Sequence, residues 1–133
     1  MAEWVESPEL RELARKVVAA RDEVAHVDPD EVLWLKELTT EPAALARCYH
    51  FGDHPIGYFT DKPYAIALYW QRCDYMSERQ LAILLFHEMM HIPEIGDKLV
   101  DHDVQDFMRI LRLDLDWQQP GRDVPDVTTK EVV

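Results

Sequence analysis

Leu81 to Ile92 is a run of twelve residues without glycine or proline, and its apolar side chains nearly encircle a helix of about 3.6 residues per turn. A helix that is apolar on all sides belongs at the centre of a domain rather than on its surface. Just upstream, Ser77 followed three residues later by Gln80 forms a capping-box pattern, so the helix is predicted to start at Glu78 and to end near Ile92. Three polar residues, His87, Glu88 and His91, interrupt this otherwise apolar segment. Buried polar groups need partners, and a bound cation would satisfy all three.

The spacing points to that cation. Residues four apart on a helix are offset by about 40° around the axis and about 6 Å along it, so both imidazoles can reach one ion. Glu88 follows the first histidine and is placed to touch a water on the metal. H-E-x-x-H on a helix is a zinc-hydrolase pattern, with the histidines as ligands and the glutamate as general base.

A catalytic zinc site takes a third protein ligand and keeps one position open. Pro93 and Gly96 end the first helix and let the chain turn. A second helix is predicted from near Val100 or Asp101, with Val104, Phe107, Met108 and Leu111 on its buried face. His102, at the start of that helix, is read as the third ligand. Asp106 lies one turn further on the same side, suited to accept the free ring N–H of a liganding histidine. Asp103 is the main alternative ligand, with Glu94, Asp97 and Asp101 behind it. For Asp101 and Asp103 the simpler role is stabilising the helix N-terminus.

The pair His87-Glu88-Met89-Met90-His91 and His102-Asp103-Val104-Gln105-Asp106-Phe107, with the strand-like Tyr64–Asp74 before them, resembles the zincin-type metallopeptidases, and among them the phage metallopeptidase group. The likeness covers about Val32 to Trp117. It implies a small α+β zincin-like fold: an N-terminal helix, a sheet of about three strands, the H-E-x-x-H helix and a C-terminal helix carrying the third ligand. Gluzincin-type relatives place a Glu on the second helix and an Asp four residues later. His102 and Asp106 stand at those positions here. The metzincin spacing is absent, because Glu94 stands where its glycine would be.

At 133 residues the chain is expected to form one domain, residues 1–117, followed by a flexible polar tail, residues 118–133. Hydrophobic residues make up 47%, enough for a packed core. The net charge of −12 argues against a nucleic-acid surface and against an anionic membrane, while leaving room for a cationic protein partner. No apolar stretch nears the roughly 20 residues of a membrane span, and the acidic start Met1–Glu6 is unlike a signal peptide. The location expected is therefore cytoplasmic, with Cys48 and Cys73 reduced and buried.

Ser7-Pro8-Glu9 opens an amphipathic helix expected to reach Ala25. Strands are expected over Glu31–Leu38, Leu45–Phe51 and Tyr64–Trp70, the last a candidate edge for extended peptide. His26 is read as a charge at a helix C-terminus, His50 and His54 as loop histidines, and Met89 and Met90 as core or cleft wall.

Together these residues suggest a zinc-dependent hydrolase of amide bonds. His87, His91 and His102 would hold Zn²⁺, Glu88 would act as general base, and a peptide or protein would be the substrate. The alternative is a non-catalytic interaction module in which a structural zinc joins two helices, closed by a fourth protein ligand.

Overall fold

In the computed structural model, residues 3–39, 44–51, 62–95, 99–100, 110, 113 and 116–130 are described. They form a small α+β domain with a four-stranded sheet and three helices among the described residues. The elements are β1 (Trp4–Glu6), α1 (Pro8–Ala20), β2 (Val32–Glu37), β3 (Ala46–His50), β4 (Tyr64–Tyr69), α2 (Trp70–Cys73) and α3 (Glu78–Met89). No described helix is long and apolar enough to cross a membrane.

The first helix starts where its sequence signals place it. The Ser7 side chain accepts from the Leu10 amide at 3.3 Å, and Pro8 takes the first helical position, where no N–H is needed. Leu10, Leu13, Ala14 and Val17 form the buried stripe. The helix stops at Ala20, short of the expected Ala25. Arg21 leaves it in an extended conformation, buried, with its guanidinium donating to the Thr129 carbonyl. A short 3-10 turn, Asp22–Val24, then directs Val24 and Val27 into the core.

The sheet order is β1-β2-β4-β3. Strands β2 and β4 run parallel, with Val32 beside Tyr64 and Glu37 beside Tyr69. β3 pairs antiparallel with β4, Ala46 opposite Leu68 and His50 opposite Tyr64. Strand β4, offered by the sequence as a candidate edge, is instead central. Its run Ala65-Ile66-Ala67-Leu68 is buried on both faces, as expected of a strand with neighbours on each side. Among the described residues, the edge next to α3 is β3. The opposite edge, β1, was not expected at all. Its three residues are all exposed and too few to show a period, and it is held by antiparallel pairing to β2. Buried Glu37 anchors its start by accepting from the Glu3 amide at 3.0 Å and the Thr39 hydroxyl at 2.7 Å.

Helices α1 and α3 pack against each other, and the core between them and the sheet is continuous. The polar segment after Trp117 joins that core. Val124 and Val127 are buried in it, and the Gln80 side-chain amide donates to the carbonyls of Trp117 (3.0 Å) and Gln119 (2.7 Å). The expected division at residue 117 therefore does not match the packing: composition made the segment look unattached, whereas two valines and the main-chain carbonyls of Gln119 and Thr129 tie it to the domain. Val127→Ala should lower the unfolding free energy by about 1–3 kcal/mol, from lost apolar burial and the cavity left behind. Urea denaturation measures it, and an unchanged midpoint would show that the valine contributes nothing to the fold.

Candidate metal centre

Helix α3 is built to carry polar residues into an apolar interior. The Ser77 hydroxyl accepts from the Gln80 amide at 3.2 Å, while the Gln80 side chain accepts from the Ser77 amide at 3.0 Å, so both arms of the capping box are present. Ala82 to Phe86 are buried without a break. The regular helix ends at Met89, and the chain continues in a tighter turn: the His91 amide donates to Glu88 (3.2 Å) and the Ile92 amide to Met89 (3.0 Å). His91 thus lies just beyond the α-helix expected to contain it.

The tighter turn preserves the convergence. The rings of His87 and His91 are 5.4 Å apart at an interplanar angle of 67°. One donor atom from each of His87, Glu88 and His91 lies within 4.8 Å of the others, the only such group of three among the described residues. Glu88 is 4% exposed, with its Oε1 3.7 Å from His87 Nε2.

The tautomer of neutral His91 is set by its surroundings. Its Nδ1 lies 2.6 Å from the Val100 carbonyl oxygen, which can only accept, so in the neutral ring Nδ1 carries the hydrogen and Nε2 keeps its lone pair. The Val100 amide in turn donates to the His91 carbonyl at 2.7 Å. A neutral imidazole with a backbone carbonyl behind it is the arrangement that fixes a metal-binding histidine. Asp106 had been read as an acceptor of this kind. For His91 the acceptor is Val100, and no sequence signal marks it, because every residue has a carbonyl.

His102, Asp103 and Asp106 lie outside the described residues, as do Asp97, Asp101 and His54. Glu94, weighed as a ligand, is not in the cluster: its side chain is 74% exposed and its Oε1 is 3.9 Å from His26 Nδ1. His26 does not sit at the end of α1. Its Nε2 donates to the Ile92 carbonyl at 2.7 Å, bracing the turn that follows α3. The His50 ring lies beside that of Tyr64, tilted by 44° with ring centres 5.0 Å apart. Met89 is fully buried and Met90 packs against the core, as their apolar character suggested.

The cluster faces a cavity of about 510 Å³ between edge strand β3 and α3, with Ala46, Cys48, Val100 and Trp117 in its walls. Both cysteines are free. Burial raises the Cys48 thiol pKa far above its ordinary value, and the Glu88 charge adds to the effect. Burial also pushes Cys73 up to about 12, and its Sγ lies 3.2 Å from the Leu45 carbonyl. Neither cysteine belongs to the group of converging donor atoms.

The donor set fits a metal. Two imidazoles on adjacent turns, one of them held with its Nε2 lone pair available, and a buried carboxylate beside them make a nitrogen- and oxygen-rich half-site. A family model described as "Putative phage metallopeptidase" matches residues 2–130. Neither a curated protein nor a solved structure matches the chain.

Proposed function

The chain belongs to the phage metallopeptidase family, and from that membership and the geometry of α3 we propose that it is a zinc-dependent hydrolase of peptide bonds. The observation that carries the reading is the group His87, Glu88 and His91, whose donor atoms lie within 4.8 Å of one another at the wall of an open cavity.

His87 and His91 would hold the zinc, with His102 as third ligand. Chain reach supports that last assignment. The Val100 carbonyl is 2.6 Å from the His91 ring, and two further residues span at most about 7 Å. A residue two positions beyond Val100 is therefore within chain reach of the cluster. When bound, zinc would supply Lewis acidity, lowering the pKa of its water toward about 7 and polarising the substrate carbonyl.

The remaining steps belong to the chain itself. Glu88 takes a proton on its carboxylate as water attacks the amide carbon, then delivers it to the departing amine. Its burial limits the access of bulk water to that exchange. Val100 keeps the His91 ring from turning its N–H toward the metal. The outer edge of β3 offers main-chain groups along the cavity wall, where an extended substrate can pair as an added strand.

The cavity also favours this reading over a structural zinc that joins two helices. Structural sites are closed by four protein ligands, whereas among the described residues the two histidines face a cavity of about 510 Å³. Incubating zinc-loaded protein with a proteome-derived peptide library should create new peptide termini, read by mass spectrometry. A loaded preparation that produces none, alone or with intact phage and host proteins, would refute the assignment.

A further inference from the structure

The metal-facing cavity adjoins a second one. Leu45 and Gln118 line both, and the second, of about 420 Å³, is completed by Arg72, Tyr75, Gln119 and Pro120 among others. The two differ in chemistry. Among the described residues, Glu88, the two histidines and Arg47 line the first, whereas no carboxylate side chain lines the second, where the guanidinium of Arg72 is the one charge. Arg72 sits on the single turn α2, exposed, and forms no ion pair among the described residues. Its polar neighbours are engaged elsewhere: the Tyr75 hydroxyl donates to the Gln118 carbonyl at 2.6 Å, and the Gln71 amide donates to the Leu38 carbonyl at 2.9 Å.

We propose that Arg72 is a specificity-determining residue, receiving an Asp or Glu side chain of the substrate in the cavity beyond Leu45 while the scissile bond lies at His87, Glu88 and His91. The proposal rests on the hydrolase reading above and adds the class of peptide it takes. A guanidinium matches a carboxylate with two parallel hydrogen bonds, which neither an amide nor a hydroxyl can reproduce. On a chain of net charge −12, most of the surface repels an acidic side chain. A cavity whose only charge among the described residues is positive stands out locally against that field and fixes which way an acidic segment lies.

The test uses four-residue peptide hydroxamates, whose hydroxamate group anchors on zinc, with a single Asp, Asn or Lys scanned along the peptide. Calorimetry gives Kd for each against zinc-loaded protein. At one position Asp should bind about fivefold more tightly than Asn at low ionic strength, with the difference shrinking as salt is added. Arg72→Ala should erase the difference, and Arg72→Glu should turn the preference toward Lys. Because the side chain is exposed, both variants should keep the thermal midpoint of the parent. Equal affinities for Asp and Asn at every position, or a preference of the parent protein for Lys, would overturn the proposal. Discrimination without any turnover would count against the hydrolase reading alone, and turnover without discrimination against Arg72 alone.

Discussion

Glu88→Gln is expected to keep zinc at one ion per chain while lowering peptide turnover by at least about 100-fold, the contribution typical of a positioned general base. The substitution isolates one property. Glutamine fills the same volume in a site where Glu88 is 4% exposed, so the surrounding packing is preserved. What disappears is the capacity to take a proton from water and return it to the amine. Turnover and metal content should therefore separate, with elemental analysis unchanged and hydrolysis lost. Full activity in the amide variant would remove Glu88 as the base. Loss of zinc together with activity would make it a ligand instead.

His102→Ala should weaken zinc binding by at least about 100-fold, since even residues that merely orient a ligand cost 10–100-fold when removed. The measurement is a competition titration against a chromophoric chelator. Asp103→Ala, made in parallel, should leave affinity nearly unchanged, while Asp106→Ala should fall between the two if its carboxylate orients a ligand ring. If Asp103→Ala proves the damaging change, the third ligand moves one residue along. If neither changes affinity, the metal is completed from elsewhere in the chain.

Much of α3 was legible because its information is local. A serine cap, its glutamine partner and an unbroken apolar run all lie within one short stretch, and each signal agrees with the others. The histidine pair was legible for the same reason: i and i+4 is a property of helix geometry alone. Strand order was not. Tyr64–Tyr69 reads as a strand from its composition, but whether it is an edge depends on neighbours far away in sequence, Val32–Glu37 on one side and Ala46–His50 on the other. β1 escaped notice because three exposed residues carry no period, and its place is decided by backbone pairing. The segment after Trp117 misled through composition. Glutamines, prolines and charges outnumber Val124 and Val127, yet those two valines face the core. The role of Val100 was beyond sequence altogether, since a carbonyl oxygen says nothing about which ring it will meet.

The reciprocal bonding of His91 and Val100 makes two motions one. The ring cannot rotate without releasing the main chain at Val100, and Val100 cannot lift away without freeing the ring. The proposed ligand His91 is thereby latched to a backbone position beyond its own helix. Warming or denaturant should release a bound ion in the same step that detaches Val100, while the sheet behind it still stands.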